Sequence, residues 1–145
     1  QVASGSANQL DDYEEGDYTI TCVGASSGNM VMGGNDTARY VKIGSLVHVQ
    51  GRVDVASDNS VSGGIRFSLP FTATSGTDEA YSAATGIQLF GIGTSDLFNF
   101  TSYVAEGTAY FEISAVNSDN AYANITDAQV DAAFTCAFGF SYISE

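Results

Sequence analysis

Apolar and polar residues alternate with a period of two along most of the chain, most regularly at residues 46–55. There Val47, Val49, Val53 and Val55 share one side with Gly51, and His48, Gln50, Arg52 and Asp54 take the other. That is the period of a half-buried β-strand. The preceding run, ARYVKIG, sets Val41 and Ile43 opposite Tyr40 and Lys42. Gly44-Ser45 between the two runs predicts a tight turn and therefore a β-hairpin. Tyr18, Ile20 and Cys22 share a face earlier in the chain. Gly63-Gly64 predicts a turn before a strand carrying Ile65, Phe67 and Leu69, and Pro70 ends that strand because proline has no N–H to give a ladder.

The second half is less uniform. GIQLFGIG (86–93) is a mostly apolar strand, read as buried on both faces or lying at an interface. SDLFNFTSY (95–103) has no clear period, whereas GTAYFEISAV (107–116) sets Phe111 and Ile113 opposite Tyr110 and Glu112. In the last run Phe134, Cys136, Phe138, Phe140 and Tyr142 form a face bulky enough to fill a core. Its other face, Ala133, Thr135, Ala137, Gly139 and Ser141, is nearly flat and open to close approach by another sheet or subunit. Residues 72–86 and 117–127 read as loops, and only TDAQVDAAF (126–134) offers a short helix, with Thr126 or Asp127 as its cap. Seven or eight short strands between Gly, Asn and Asp turns predict an all-β, antiparallel, jelly-roll-like sandwich.

Composition adds limits. A chain of 145 residues forms one domain, read as residues 10–145 after a small polar linker, QVASGSANQ, at 1–9. It opens on Gln1 with no charged-then-apolar leader, which reads as a mature product or a piece of something longer. Four Lys and Arg against 17 Asp and Glu give a net charge of −13. No basic patch for nucleic-acid phosphates can be assembled from four cations, and anionic membranes are disfavoured for the same reason. No apolar run is long enough to insert in a bilayer. Cys22 and Cys136 are expected to be free, buried and chemically quiet.

Candidate chemistry is sparse. His48 is the one histidine, so any Ser-His-Asp arrangement must use it, yet it sits mid-strand beside Gln50 and Arg52 and reads as a strand-face or interface residue. Glu112, an acid mid-strand among apolar residues, is the one odd carboxylate for glycoside chemistry. No catalysis, metal or other cofactor is expected. Asp11, Asp12, Glu14, Glu15 and Asp17 surround Tyr13 and read as structural acids pairing with Arg39 or Arg52 rather than as Ca²⁺ ligands. Sugar recognition needs an aromatic face beside hydrogen-bonding groups. Asp78, Glu79 and Tyr81 in one loop, and Asp119, Asn120 and Tyr122 in the other, supply both parts. The alternative is that these tyrosines pack on their own loops or at a subunit seam.

Three stretches together resemble the C-terminal domains of phage tail fibres and tailspikes: LDDYEEGDYTI (10–20), RYVKIGSLVHVQGRVDV (39–55) and SLPFTAT (68–74). Asp17-Tyr18-Thr19-Ile20 stands where that family usually has Thr-Trp-Thr-Pro. The resemblance implies a homotrimeric sandwich at a fibre tip on the virion, continuing from an upstream fibre shaft. Such a domain binds a host cell-surface glycan or protein, caps the trimer, or does both. Subunit contacts are expected at Tyr13 beside the acidic cluster, at His48, and at Ala137 and Gly139 on the flat face of the last strand.

Overall fold

The computed structural model describes residues 12–58, 60–76, 82–84, 86–119 and 121–145. Among these the chain is all-β, with two antiparallel sheets packed in a sandwich-like arrangement. In the first sheet β1 (Tyr13–Thr19), β4 (Thr37–Ile43), β5 (Leu46–Ser57), β12 (Val130–Ile143) and β8 (Ile87–Ile92) lie side by side in that order, and β3 (Val31–Met32) pairs with β5. In the second the order is β2 (Cys22–Gly24), β6 (Ile65–Ser68), β10 (Tyr110–Asn117), β9 (Leu97–Val104) and β7 (Ser82–Ala84), and β11 (Tyr122–Asn124) pairs with β10.

Local chemistry accounts for the strongest elements. β4 and β5 pair up to Ile43 and Leu46 across Gly44-Ser45, and Gly44 has φ +58°. A two-residue loop that begins with a positive φ matches the twist of the strands it joins, and glycine reaches that region without strain. β5 and β12 then share ten paired positions, from Val55 opposite Phe134 to Leu46 opposite Ile143. Val47, Val49, Val53 and Val55 of β5 and Phe134, Cys136, Phe138, Phe140 and Tyr142 of β12 are all buried, as the alternation predicts. They meet Ile65, Phe67, Val104, Phe111 and Ile113 of the second sheet. The ring of Phe111 lies 5.2 Å from Phe67 within its own sheet and 5.0 Å from both Phe138 and Phe140 across the sandwich.

Four segments differ from the expectation. Residues 126–134 contain a single 3-10 turn, Asp127–Gln129, and then enter β12. The Gln129 side chain accepts from the Thr126 N–H at 3.0 Å, closing the turn, and Val130 and Phe134 are buried only if the chain is extended from there. The 72–86 and 117–127 segments each hold a short strand, β7 and β11, which brings the strand number among the described residues to twelve. Ser102–Val104 of β9 recruit β7 and Ser114–Val116 of β10 recruit β11, through backbone pairing that leaves no apolar period. β8 is not buried on both faces, because Leu89 points into the core while Phe90 is 48% exposed.

Cys22 and Cys136 are free and buried, and the Cys22 thiol lies 3.4 Å from the Met30 sulfur. Burial raises the Cys22 thiol above its ordinary 9.0 and pushes Cys136 up to about 12. It likewise raises the hydroxyls of Tyr18 and Tyr142 above 10.0. The folded chain therefore keeps four protons that the unfolded chain releases from about pH 9 upward, and stability falls with rising pH there. Each group contributes up to about 1.4 kcal/mol per pH unit. The urea midpoint is expected to stay level to about pH 8 and then decline steadily toward pH 12. A midpoint still level at pH 11 would show these groups to be open to solvent.

Candidate functional site

The register of the second sheet lines up three rungs of side chains on its outer face, since residues directly opposite in a ladder point the same way. Val116 of β10 lies opposite Phe98 of β9 and Tyr122 of β11, which makes an apolar rung. Ser114 lies opposite Thr101 and Asn124, which makes a hydroxyl and amide rung. Glu112 lies opposite Tyr103 of β9 and Arg66 of β6. Thr101, Ser102, Tyr103, Ser114, Tyr122 and Asn124 line a cleft of about 310 Å³ across these rungs.

An irregularity in β9 shapes this face. From Ser114 to Val116 the central strand advances two residues while its partner runs from Thr101 to Phe98, so β9 carries one extra residue. Asn99 has φ +52°, a left-handed conformation that asparagine tolerates better than most residues. Such a bulge re-aims the side chains beyond it. Phe100 packs against the core, Thr101 points outward, and Phe98, which strict alternation would turn inward, is 54% exposed. Tyr122 on the far side of the same rung is 58% exposed. Two large aromatic faces thus stand open to solvent beside a row of hydroxyl and amide groups.

A chain of part-buried polar contacts runs along the cleft. Arg66 Nε donates to Glu112 Oε1 at 2.5 Å, and the guanidinium lies 4.2 Å from the centre of the Tyr110 ring. Asn124 Nδ2 donates to the other Glu112 oxygen, and Ser114 Oγ donates to Asn124 Oδ1 at 2.6 Å. Glu112 and Ser114 are almost fully buried although they face outward, and the Asn124 side chain is bonded to both. A carboxylate on one side and a hydroxyl on the other fix which end of the Asn124 amide points where. Among the described residues these are the two bonds of that amide, which leaves one N–H and one oxygen lone pair unused.

Of the residues the sequence singled out for binding, Tyr122 lines the cleft. Asp119 lies in the turn that leads to β11, where its N–H and that of Ala121 donate to Asn117 Oδ1, and it does not line the cleft. Asp78, Glu79, Tyr81 and Asn120 lie outside the described residues. Glu112, singled out as an acid mid-strand among apolar residues, is bonded to Arg66 and Asn124. Thr101, Ser102, Tyr103, Ser114 and Asn124 of the cleft went unpredicted, as did the exposed Phe98 at the end of its apolar rung, and the broken period at 95–103 was a signal only for those on β9.

The residues expected at subunit contacts share a different surface. Tyr13, His48, Ala137 and Gly139 all lie on the outer face of the first sheet. One cross-strand row there runs Tyr13, Ile43, Leu46, Ile143, and Tyr13, Ile43 and Leu46 are 50%, 42% and 47% exposed. The next row carries His48, whose Nδ1 lies 3.1 Å from Ser141 Oγ on the open strand face. Arg39 pairs with Glu15 at 3.6 Å and Asp17 at 3.5 Å, and Tyr40 donates to Glu14 at 2.5 Å. Arg52 instead meets Asp54, 3.6 Å away. Among the described residues no three acids, histidines or cysteines are grouped to hold a metal ion. The chain matches no protein-family model, and no curated protein matches its sequence.

Proposed function

We propose that this chain is the host-contacting domain at the tip of a viral (phage) fibre, and that the cleft on its second sheet binds a cell-surface saccharide. The observation that carries the reading is the pairing of exposed Phe98 and Tyr122 with the fixed Ser114–Asn124 rung. Pyranose rings offer C–H faces to an aromatic plane and hydroxyls to an amide, and the groove supplies both side by side. The fibre assignment draws on the LDDYEEG, YVKIGSLVHVQG and LPFT stretches. No catalysis is assigned: the His48–Ser141 pair sits on an open, flat face rather than in a pocket.

Tyr122→Ala and Phe98→Ala test this reading. Both side chains are more than half exposed, so each change is expected to move stability by no more than about 0.5 kcal/mol. Each is expected to abolish glycan-array signal and the domain's ability to block adsorption of virions to host cells. Retention of full blocking activity by the double variant would overturn the assignment of the cleft.

A second reading concerns assembly. The exposed Tyr13, Ile43 and Leu46, together with the flat Ala137–Gly139 strand, favour a homotrimer that packs through the first sheet and caps the shaft. The jelly-roll-like description fits the repeated passage of the chain between sheets, as from β1 to β2, β5 to β6 and β7 to β8. Light scattering is expected to give a trimer mass that Leu46→Asp reduces to a monomer. A monomer in the unsubstituted chain at micromolar concentration would contradict this second reading.

A further inference from the structure

The charge distribution narrows what the cleft accepts. We infer that its ligand is an uncharged saccharide and that sialic acids, uronic acids and sulfated or phosphorylated sugars are turned away. The inference rests on the saccharide reading above and adds to it the ligand's charge.

An anionic sugar needs a cation or a set of N–H donors at its acid group. The sequence contains only four Lys and Arg side chains, and each is already engaged. Arg39 is held between Glu15 and Asp17, and Arg52 lies against Asp54. The Lys42 ammonium lies 5.0 Å from the centre of the Phe71 ring. Arg39, Lys42 and Arg52 belong to the first sheet, away from the cleft. The only cation on the second sheet is Arg66, whose Nε donates to Glu112 at 2.5 Å and whose guanidinium lies over the Tyr110 ring. An anionic ligand would meet a groove with no available positive charge, in the field of a chain whose net charge is −13.

What the groove does offer suits neighbouring hydroxyls. The Asn124 amide keeps one donor and one acceptor pointing in fixed directions, and two adjacent sugar hydroxyls, one accepting and one donating, satisfy both. The Tyr122 face adds apolar contact for the ring C–H groups, and the exposed Phe98 stands across Val116 at the other end of the same rung.

The test uses the full chain with isotope labelling, titrated at low ionic strength with two panels. The neutral panel is maltotetraose, a galactose tetrasaccharide and an N-acetylglucosamine tetramer. The anionic panel is 3′-sialyllactose, a heparin tetrasaccharide and an oligogalacturonate. At least one neutral member is expected to shift the amide signals of Tyr103, Tyr122 and Asn124, with a Kd at least roughly tenfold below that of every anionic member. An anionic member that shifts the same signals with equal or greater affinity overturns the charge inference and leaves the saccharide reading standing. If no member of either panel shifts them, the saccharide reading falls and the charge inference with it. Glu112→Gln supplies a second measurement. With its fold verified by circular dichroism, it is expected to improve anionic binding roughly tenfold by releasing Arg66. Unchanged anionic affinity in a folded variant overturns the role given to Glu112.

Discussion

Replacing Phe111 with alanine is expected to cost about 4 kcal/mol, the middle of the range for removing a buried aromatic ring. Phe111 is fully buried on β10, stacked on Phe67 of its own sheet and in contact with Phe138 and Phe140 of the other. Those neighbours are held by strand pairing, Phe67 on β6 in one sheet and Phe138 and Phe140 on β12 in the other, so none can slide into the vacated volume without breaking register. The penalty is therefore the lost transfer free energy plus an unrelieved cavity. Against a total stability of about 5–15 kcal/mol for a domain, that is enough to leave a large unfolded fraction on modest warming. The measurement is the urea midpoint, which should fall with little change in slope. Phe98→Ala is the matched control, since it removes the same ring from an exposed position and should shift the midpoint by no more than about 0.5 kcal/mol. A Phe111→Ala penalty below about 1 kcal/mol would mean that the two sheets do not interdigitate at this layer.

The contrast between those two phenylalanines explains what the sequence could reveal. Phe111 sits in an unbroken alternation, and its burial follows from period alone. The same holds for Val47 to Val55 and Phe134 to Tyr142, where one face is wholly apolar and a slip of one residue would expose it. Phe98 sits beyond an inserted residue, so its face is opposite to the one its neighbours predict. The φ +52° at Asn99 that absorbs the insertion leaves no mark in a hydropathy pattern. β7 and β11 were hidden for another reason: three residues each, bound through backbone groups that every residue carries. The cleft combined both difficulties. Tyr122 could be nominated because it follows Asp119 and Asn120 in one stretch that pairs an aromatic face with hydrogen-bonding groups. Its companions Thr101, Tyr103 and Ser114 become neighbours only through the pairing of β9, β10 and β11. Glu112 was noticeable as an acid among apolar residues, but its partner Arg66 lies 46 positions away.

Glu112→Ala is expected to destabilise the chain by about 3 kcal/mol, the lower end for breaking one half of a buried ion pair, because the Arg66 side chain is 26% exposed. The loss arises less from the attraction removed than from what is left behind. Arg66 Nε and Asn124 Nδ2 both donate to this carboxylate, and alanine leaves both part-buried donors without their acceptor. Glu112→Gln keeps one acceptor oxygen and puts an amide N–H against the other donor, so its penalty should fall between alanine and wild type. The double replacement Arg66→Met with Glu112→Leu removes charge and counter-charge together, and stability should return to within about 1 kcal/mol of wild type. Binding should not return with it, because Asn124 loses the carboxylate that holds its amide in one orientation. A folded, stable and non-binding double variant would mark the network as a device for positioning Asn124 rather than for holding the sheets together. If the double variant binds saccharide as wild type does, Asn124 is held by Ser114 alone, and the acid noticed in the sequence serves only the fold.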